Sequence, residues 1–95
     1  MSEKTTKNEK LSCIGELFRE KRMALGASYK SRSKFIDKTS IELFGGEEWI
    51  SERYLSSIEE GKNWIGFEKF IQLSNALQQD PVQLFAEMLE VYFNS

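Results

Sequence analysis

Glu52, Arg53, Ser56, Ser57 and Glu60 lie within the stretch Ile50-Ser-Glu-Arg-Tyr-Leu-Ser-Ser-Ile-Glu-Glu-Gly61, and helical spacing gathers them on one side. Leu55, Ile58 and, less strongly, Tyr54 fall on the other. An arginine presents a planar fork of donors, carboxylates accept, and serine hydroxyls do both. Small polar side chains beside the arginine let a partner approach closely and be hydrogen-bonded. Surface lysines or glutamines would make a better helix by a few tenths of a kcal/mol per residue than these serines do. The set is suited to recognition by contact.

Bond-breaking chemistry lacks its usual parts. The chain has no histidine and one cysteine, Cys13, so neither a thiol–imidazole pair nor a Cys/His metal cage can be assembled, and no internal disulfide can form. No Gly-rich phosphate loop and no carboxylate pair in an evident pocket occurs. Neither an enzyme nor a cofactor or metal is expected. Cys13 reads as a small packing residue. No apolar run approaches the roughly 20 residues of a membrane span, and the N-terminus is too polar for a secretory signal, so a cytoplasmic protein without membrane contact is expected.

The positioning elements follow from the pattern of apolar residues. Ser51 is a good N-cap, Glu52 places a negative charge in the first turn, and Gly61 supplies a left-handed stop, so the central stretch is a short helix over 51–60. Residues 1–10 have no apolar residue after Met1 and predict a flexible N-terminal arm. Leu11, Ile14, Leu17, Phe18 and Leu25 recur at helical spacing up to Gly26, which predicts the first helix. Ser31 or Ser33 caps a second, carrying Phe35, Ile36, Thr39 and Leu43, and Gly45-Gly46 ends it. Trp49 and Ile50 anchor the lead into the central helix. After a loop over 62–66, Phe67, Phe70, Ile71, Leu73, Ala76 and Leu77 mark a fourth helix. Asp80-Pro81 opens a fifth, with an N-cap followed by proline at the first helical position.

That last helix carries Val82, Leu84, Phe85, Met88, Leu89, Val91, Tyr92 and Phe93, more apolar surface than one core contact needs. The excess over residues 80–93 predicts a homodimer through Phe85, Met88, Leu89, Tyr92 and Phe93; a helix wedged deep in its own domain gives the same pattern. With 95 residues, a single all-α domain over 11–95 is expected. The net charge of −2 hides an asymmetry: residues 1–38 hold ten Lys/Arg against five Asp/Glu, and residues 39–95 hold three against ten. A basic half of this kind can make a face for phosphates.

In this order and spacing the chain resembles the Cro/phage-repressor type (XRE-like) helix-turn-helix DNA-binding domains, over roughly residues 14–86. Ile14-Gly15 through Arg22 to Gly26 is similar to the family's first helix, Ile50-Ser51 through Ile58-Glu59-Glu60-Gly61-Lys62 to its third, and Phe67 to Leu77 with Asp80-Pro81-Val82-Gln83-Leu84-Phe85 to its last two. The resemblance implies a five-helix lambda-repressor-like fold and a dimeric transcriptional regulator, a repressor, whose third helix enters the major groove of double-stranded DNA. It assigns base contact to Glu52, Arg53, Tyr54 and Ser57, and phosphate contact to Ser31, Arg32, Lys62 and Asn63. Arg22 and Glu59 match positions that pair as a structural ion pair. The chain departs from the family in having Ile36 and Ser40 where a small residue and a turn glycine are usual. About nine extra residues around Ser40–Trp49 also extend the connection between helices 2 and 3. The overall acidity, the altered turn and the apolar fifth helix motivate an alternative: the same fold as a protein-interaction module, for example an antitoxin that binds a protein partner.

Overall fold

The computed structural model describes residues 9–94. Five α-helices follow one another, α1 (Glu9–Met23), α2 (Arg32–Leu43), α3 (Glu52–Glu59), α4 (Phe67–Ala76) and α5 (Pro81–Asn94), with a 3-10 turn at Ala27–Tyr29. No strand occurs among the described residues, so the fold is all-α. None of these helices is long and apolar enough to cross a membrane.

Side chains fix the helix starts. The Ser31 hydroxyl accepts from the Lys34 amide at 3.3 Å, the Ser51 hydroxyl from Tyr54 at 3.0 Å, and the Asp80 carboxylate from Gln83 at 3.0 Å. Each satisfies an amide that the first helical turn leaves unpaired. Gly61, at φ 76°, ends α3: the Lys62 amide reaches back to the Ser57 carbonyl at 2.9 Å, which an L side chain at the glycine would strain. The arm expected over residues 1–10 falls largely outside the described residues. Its last two, Glu9 and Lys10, are helical, and the Lys10 amine donates to the Tyr92 carbonyl at 2.8 Å.

Phe18, Phe35, Leu55, Leu73, Leu77 and Leu84, drawn from all five helices, are fully buried at the centre. α1 packs on α3 and α5, α2 on α3, and α4 on α5 and α2. Two glycines let α1 meet the end of α3 backbone to backbone. A Cβ on Gly15 would sit 2.4 Å from the Glu59 carbonyl oxygen, and one on Gly61 would sit 2.5 Å from the Ser12 amide nitrogen.

The long connection between α2 and α3 is anchored. The Trp49 indole donates to the Thr39 hydroxyl at 2.8 Å, and that hydroxyl donates to the Phe35 carbonyl at 2.7 Å. The indole stacks on Phe44 with ring centres 5.2 Å apart and meets the edge of Phe35 at 6.3 Å. The Lys69 amine donates to the Trp49 carbonyl. Trp49 and Ile50 are buried, whereas Glu42, Glu47 and Glu48 stay exposed.

Because the Gly15 contact is with rigid backbone, Gly15→Ala is expected to lower the unfolding free energy by about 2–3 kcal/mol, near the upper end for overpacking. A fall in the urea midpoint at unchanged slope would show it.

Candidate functional site

α3 is held by one buried carboxylate. Glu59 Oε2 accepts from Arg22 Nε at 2.8 Å, and Oε1 accepts from Arg22 Nη2 and from Arg32 Nε, each at 2.8 Å. The Arg22 and Glu59 side chains are only 3% and 1% exposed, so this fork-to-fork pair works with little water to screen it. Arg22 Nη1 also donates to the carbonyls of Tyr29 and Lys30. The turn between α1 and α2 is thereby fastened to the same group.

Burial then decides which residues of α3 face outward. Leu55, Ile58 and Glu59 are inside, so at 100° per residue Arg53, Ser56, Ser57 and Glu60 form the opposite face, with Glu52 on its flank. Glu52 and Arg53 are exposed; Ser56, Ser57 and Glu60 are half-buried. Tyr54, assigned by the resemblance to base contact, leaves this face. It packs against the core, and its hydroxyl accepts from the Gly66 amide at 3.3 Å. The reason is that the loop after α3 folds back beside it. Ser56 and Glu60, which the resemblance passes over, belong to the face by simple helical periodicity.

The residues assigned to phosphates divide in the same way. Asn63 is exposed, and Ser31 stands exposed at the start of α2 with its hydroxyl engaged as the cap. Arg32 is turned inward, to Glu59 and, at 3.9 Å, to Glu60, where it adds a second guanidinium to the Oε1 that Arg22 already holds. Lys62 pairs with Glu60 at 3.1 Å, and the Ser56 hydroxyl donates to Glu60 at 3.0 Å. The Lys62 ammonium foremost, then the Ser56 hydroxyl and Arg32, hold the Glu60 carboxyl below the usual glutamate range. α2's N-terminus and α3's C-terminus thus meet around Glu60. Lys30 and Lys34, exposed on either side of Arg32, make no ion pair among the described residues, and neither does Arg53. Alternate lysine and arginine at 30, 32 and 34 was the signal that could have found these exposed cations at the start of α2.

On the far side, the residues expected to form a dimer contact split. Met88 is buried in the chain's own core, and Tyr92 is half-buried beside Trp64, with ring centres 6.4 Å apart. Phe85, Leu89 and Phe93 are exposed, and the structure adds Trp64, Phe67 and Val82 to them. The physical reason is that α1, α4 and the loop over 62–66 together cover only the inner half of α5's apolar arc.

Comparison with protein-family models, with curated proteins and with solved structures gave no match.

Removing one member of a buried pair leaves the other charge uncompensated. Arg22→Met and Glu59→Gln are each expected to cost about 3–5 kcal/mol, read as a fall in thermal midpoint. For Glu60 the folded pKa is depressed. Its contribution to stability is therefore present above the unfolded pKa and is lost as pH falls through the folded value. Lys62→Ala should raise the Glu60 midpoint toward that of a free glutamate in a carboxyl NMR titration; an unmoved midpoint would rule Lys62 out as the main cause.

Proposed function

We propose that the chain is a sequence-specific DNA-binding transcriptional regulator of the Cro/phage-repressor helix-turn-helix kind, with α3 as the helix that enters the major groove. The observation that supports this best is the outward face of α3. It is short, lined by small serines around a free Arg53, and fixed from behind by the Arg22–Glu59–Arg32 network, with Lys30 and Lys34 exposed at the start of α2, the end that Arg32 ties to α3. A major groove about 12 Å wide admits one α-helix, and small side chains allow the close approach that base contact needs.

In this reading Arg53 supplies two parallel donors to guanine O6 and N7, and Glu52 accepts from a cytosine amino group or steadies Arg53. Ser57 and Ser56 serve as short hydrogen-bonding groups that do not hold the helix away from the base edges. Lys30, Lys34, Asn63 and the free amides at the start of α2 grip phosphates and set orientation without reading sequence. Lys62 neutralises Glu60, which keeps a carboxylate on the face from repelling the backbone. The buried network contributes rigidity, so the contact residues need little ordering when DNA arrives.

A second reading, a module that binds a protein partner, rests on a separate corner. Ile41 and Leu43 are exposed at the end of α2, and Glu42, Glu47 and Glu48 are exposed along the same stretch of chain, an apolar and acidic composition unsuited to phosphates.

Selection of bound fragments from random DNA tests the first reading. Affinity should fall steeply with salt, with a slope of about −0.9 per neutralised phosphate. Arg53→Ala is expected to cost about 1–3 kcal/mol and relax one base position, whereas Lys34→Ala weakens all sequences alike and reduces the salt slope by about 1. A salt-independent response, or an Arg53→Ala variant with unchanged site preference, would count against it. No DNA shift at low salt together with a tight, purified protein partner would favour the second reading.

A further inference from the structure

A serine hydroxyl has one proton and two acceptor lone pairs, so what it selects in a partner depends on where that proton goes. The two serines on the outward face of α3 differ in this respect. The Ser57 hydroxyl has no hydrogen-bond partner among the described residues, so it is free to turn and offers either a donor or an acceptor. Ser56 has a partner one turn further along the helix: its hydroxyl lies 3.0 Å from Glu60 Oε2. The other oxygen of Glu60 takes the Lys62 ammonium at 3.1 Å. That ammonium foremost, then Ser56 and Arg32, keeps the Glu60 carboxyl below the usual glutamate range, so at neutral pH it is a carboxylate with no proton to give. The proton in this hydrogen bond therefore belongs to Ser56 and points along α3 to Glu60. Only lone pairs are left for a partner.

We infer that Ser56, oriented by Glu60, is an acceptor-only point on the outward face of α3 and selects a base with an exocyclic amino group, adenine or cytosine. The inference rests on the DNA reading and deepens it. In the major groove adenine N6 and cytosine N4 are donors, whereas guanine O6 and N7 and thymine O4 are acceptors. The lone pairs of Ser56 meet an amino group with a hydrogen bond and a carbonyl with an unanswered oxygen. The carboxylate behind Ser56 works in the same sense. Lys62 offsets its charge, but its oxygens stay half-buried on that face and favour amino hydrogens over carbonyl oxygens. Arg53 is the complement, a group with donors alone, which suits guanine. Arg53 and Ser56 stand three positions apart on one helix, so their Cβ atoms are about 5–6 Å from each other. Bases along a strand are spaced by about 3.4 Å. The guanine and the amino-bearing base should thus fall within about two steps of each other. Glu60 is a positioning residue here, since it acts on the base through Ser56.

The hydrogen bond is tested on the full chain without DNA. Ser56→Ala should raise the Glu60 midpoint in a carboxyl NMR titration while helical circular dichroism is unchanged. An unmoved midpoint would overturn the inference whatever the DNA does. Base preference is then read by selection from random DNA. The wild-type chain should enrich adenine or cytosine within about two steps of the guanine whose preference Arg53→Ala removes. Ser56→Ala should reduce the preference for the amino-bearing base by about fivefold or more and leave that guanine alone. Glu60→Gln supplies an amide that can donate to Ser56 and release its proton, so guanine and thymine should become acceptable at the same position. In the Ser56→Ala background Glu60→Gln should leave the base ratio unmoved, because there is no hydroxyl left to orient. Where adenine is selected, purine lacking the 6-amino group should weaken binding of the wild-type chain and not of Ser56→Ala. A preference for guanine or thymine that Ser56→Ala abolishes would overturn the inference and leave the DNA reading standing. So would a selection indifferent to Ser56→Ala. Failure to enrich any fragment at low salt would overturn both.

Discussion

Glu59 sits where three helices come within reach of one another, and its charge is what makes them meet. A carboxylate out of water costs several kcal/mol unless its oxygens are answered. Here both are answered by guanidinium groups, one from α1 and one from α2. Arg22 spends its remaining donors on the turn at Tyr29 and Lys30, which carries the chain into α2. An apolar cluster of the same size could supply comparable stability, but burial is non-directional, whereas paired forks fix angles. The close approach of α1 at Gly15 and Gly61 brings Arg22 into range. Backbone contact and ion pair therefore support one another.

This arrangement leaves the molecule with two unlike surfaces. One is polar, made by the outward side of α3 and the start of α2; the other is apolar, made by α4 and α5. The segment over 62–66 belongs to both. Lys62 turns toward Glu60 on the polar side, and two residues later Trp64 lies against Tyr92 on the apolar side. Gly66 closes the segment by donating to Tyr54 on the inner side of α3.

Local chemistry was legible in the sequence; of the long-range chemistry only the Arg22–Glu59 pair was, and that through the family resemblance and not through spacing. The caps Ser51 and Asp80, the stop at Gly61 and the double glycine after α2 act within a few residues of themselves, so their spacing is their meaning. α4 gave no such signal at its end, because Gln78, at φ 61°, takes the left-handed position that glycine usually fills. For Tyr54, periodicity leaned weakly toward the side of Leu55 and Ile58 while the resemblance pointed it at DNA. Its direction is settled by a hydroxyl contact with Gly66, across a loop. Arg32 reads as a surface cation until Glu59, 27 positions away, is placed beside it. For α5 the pattern showed too much apolar surface without showing which part the chain itself would cover. Trp64 and Phe67 entered the exposed patch only once α4 was laid against α5.

The way Trp49 is seated carries a consequence for the segment before α3. In a tight turn, the number of residues and the angle between the flanking helices are one quantity, since the backbone that counts the residues also makes the bend. Here the indole, locked between Phe44, Phe35 and Thr39, joins the end of α2 to the start of α3 by a side chain. The stretch from Gly45 to Glu48 is a strap across a bolted hinge, tied back only to α2, where Gly46 donates to the Ser40 carbonyl at 2.8 Å and Glu47 to the Phe44 carbonyl at 3.2 Å. Residues can be added to or taken from the strap while the hinge keeps its setting.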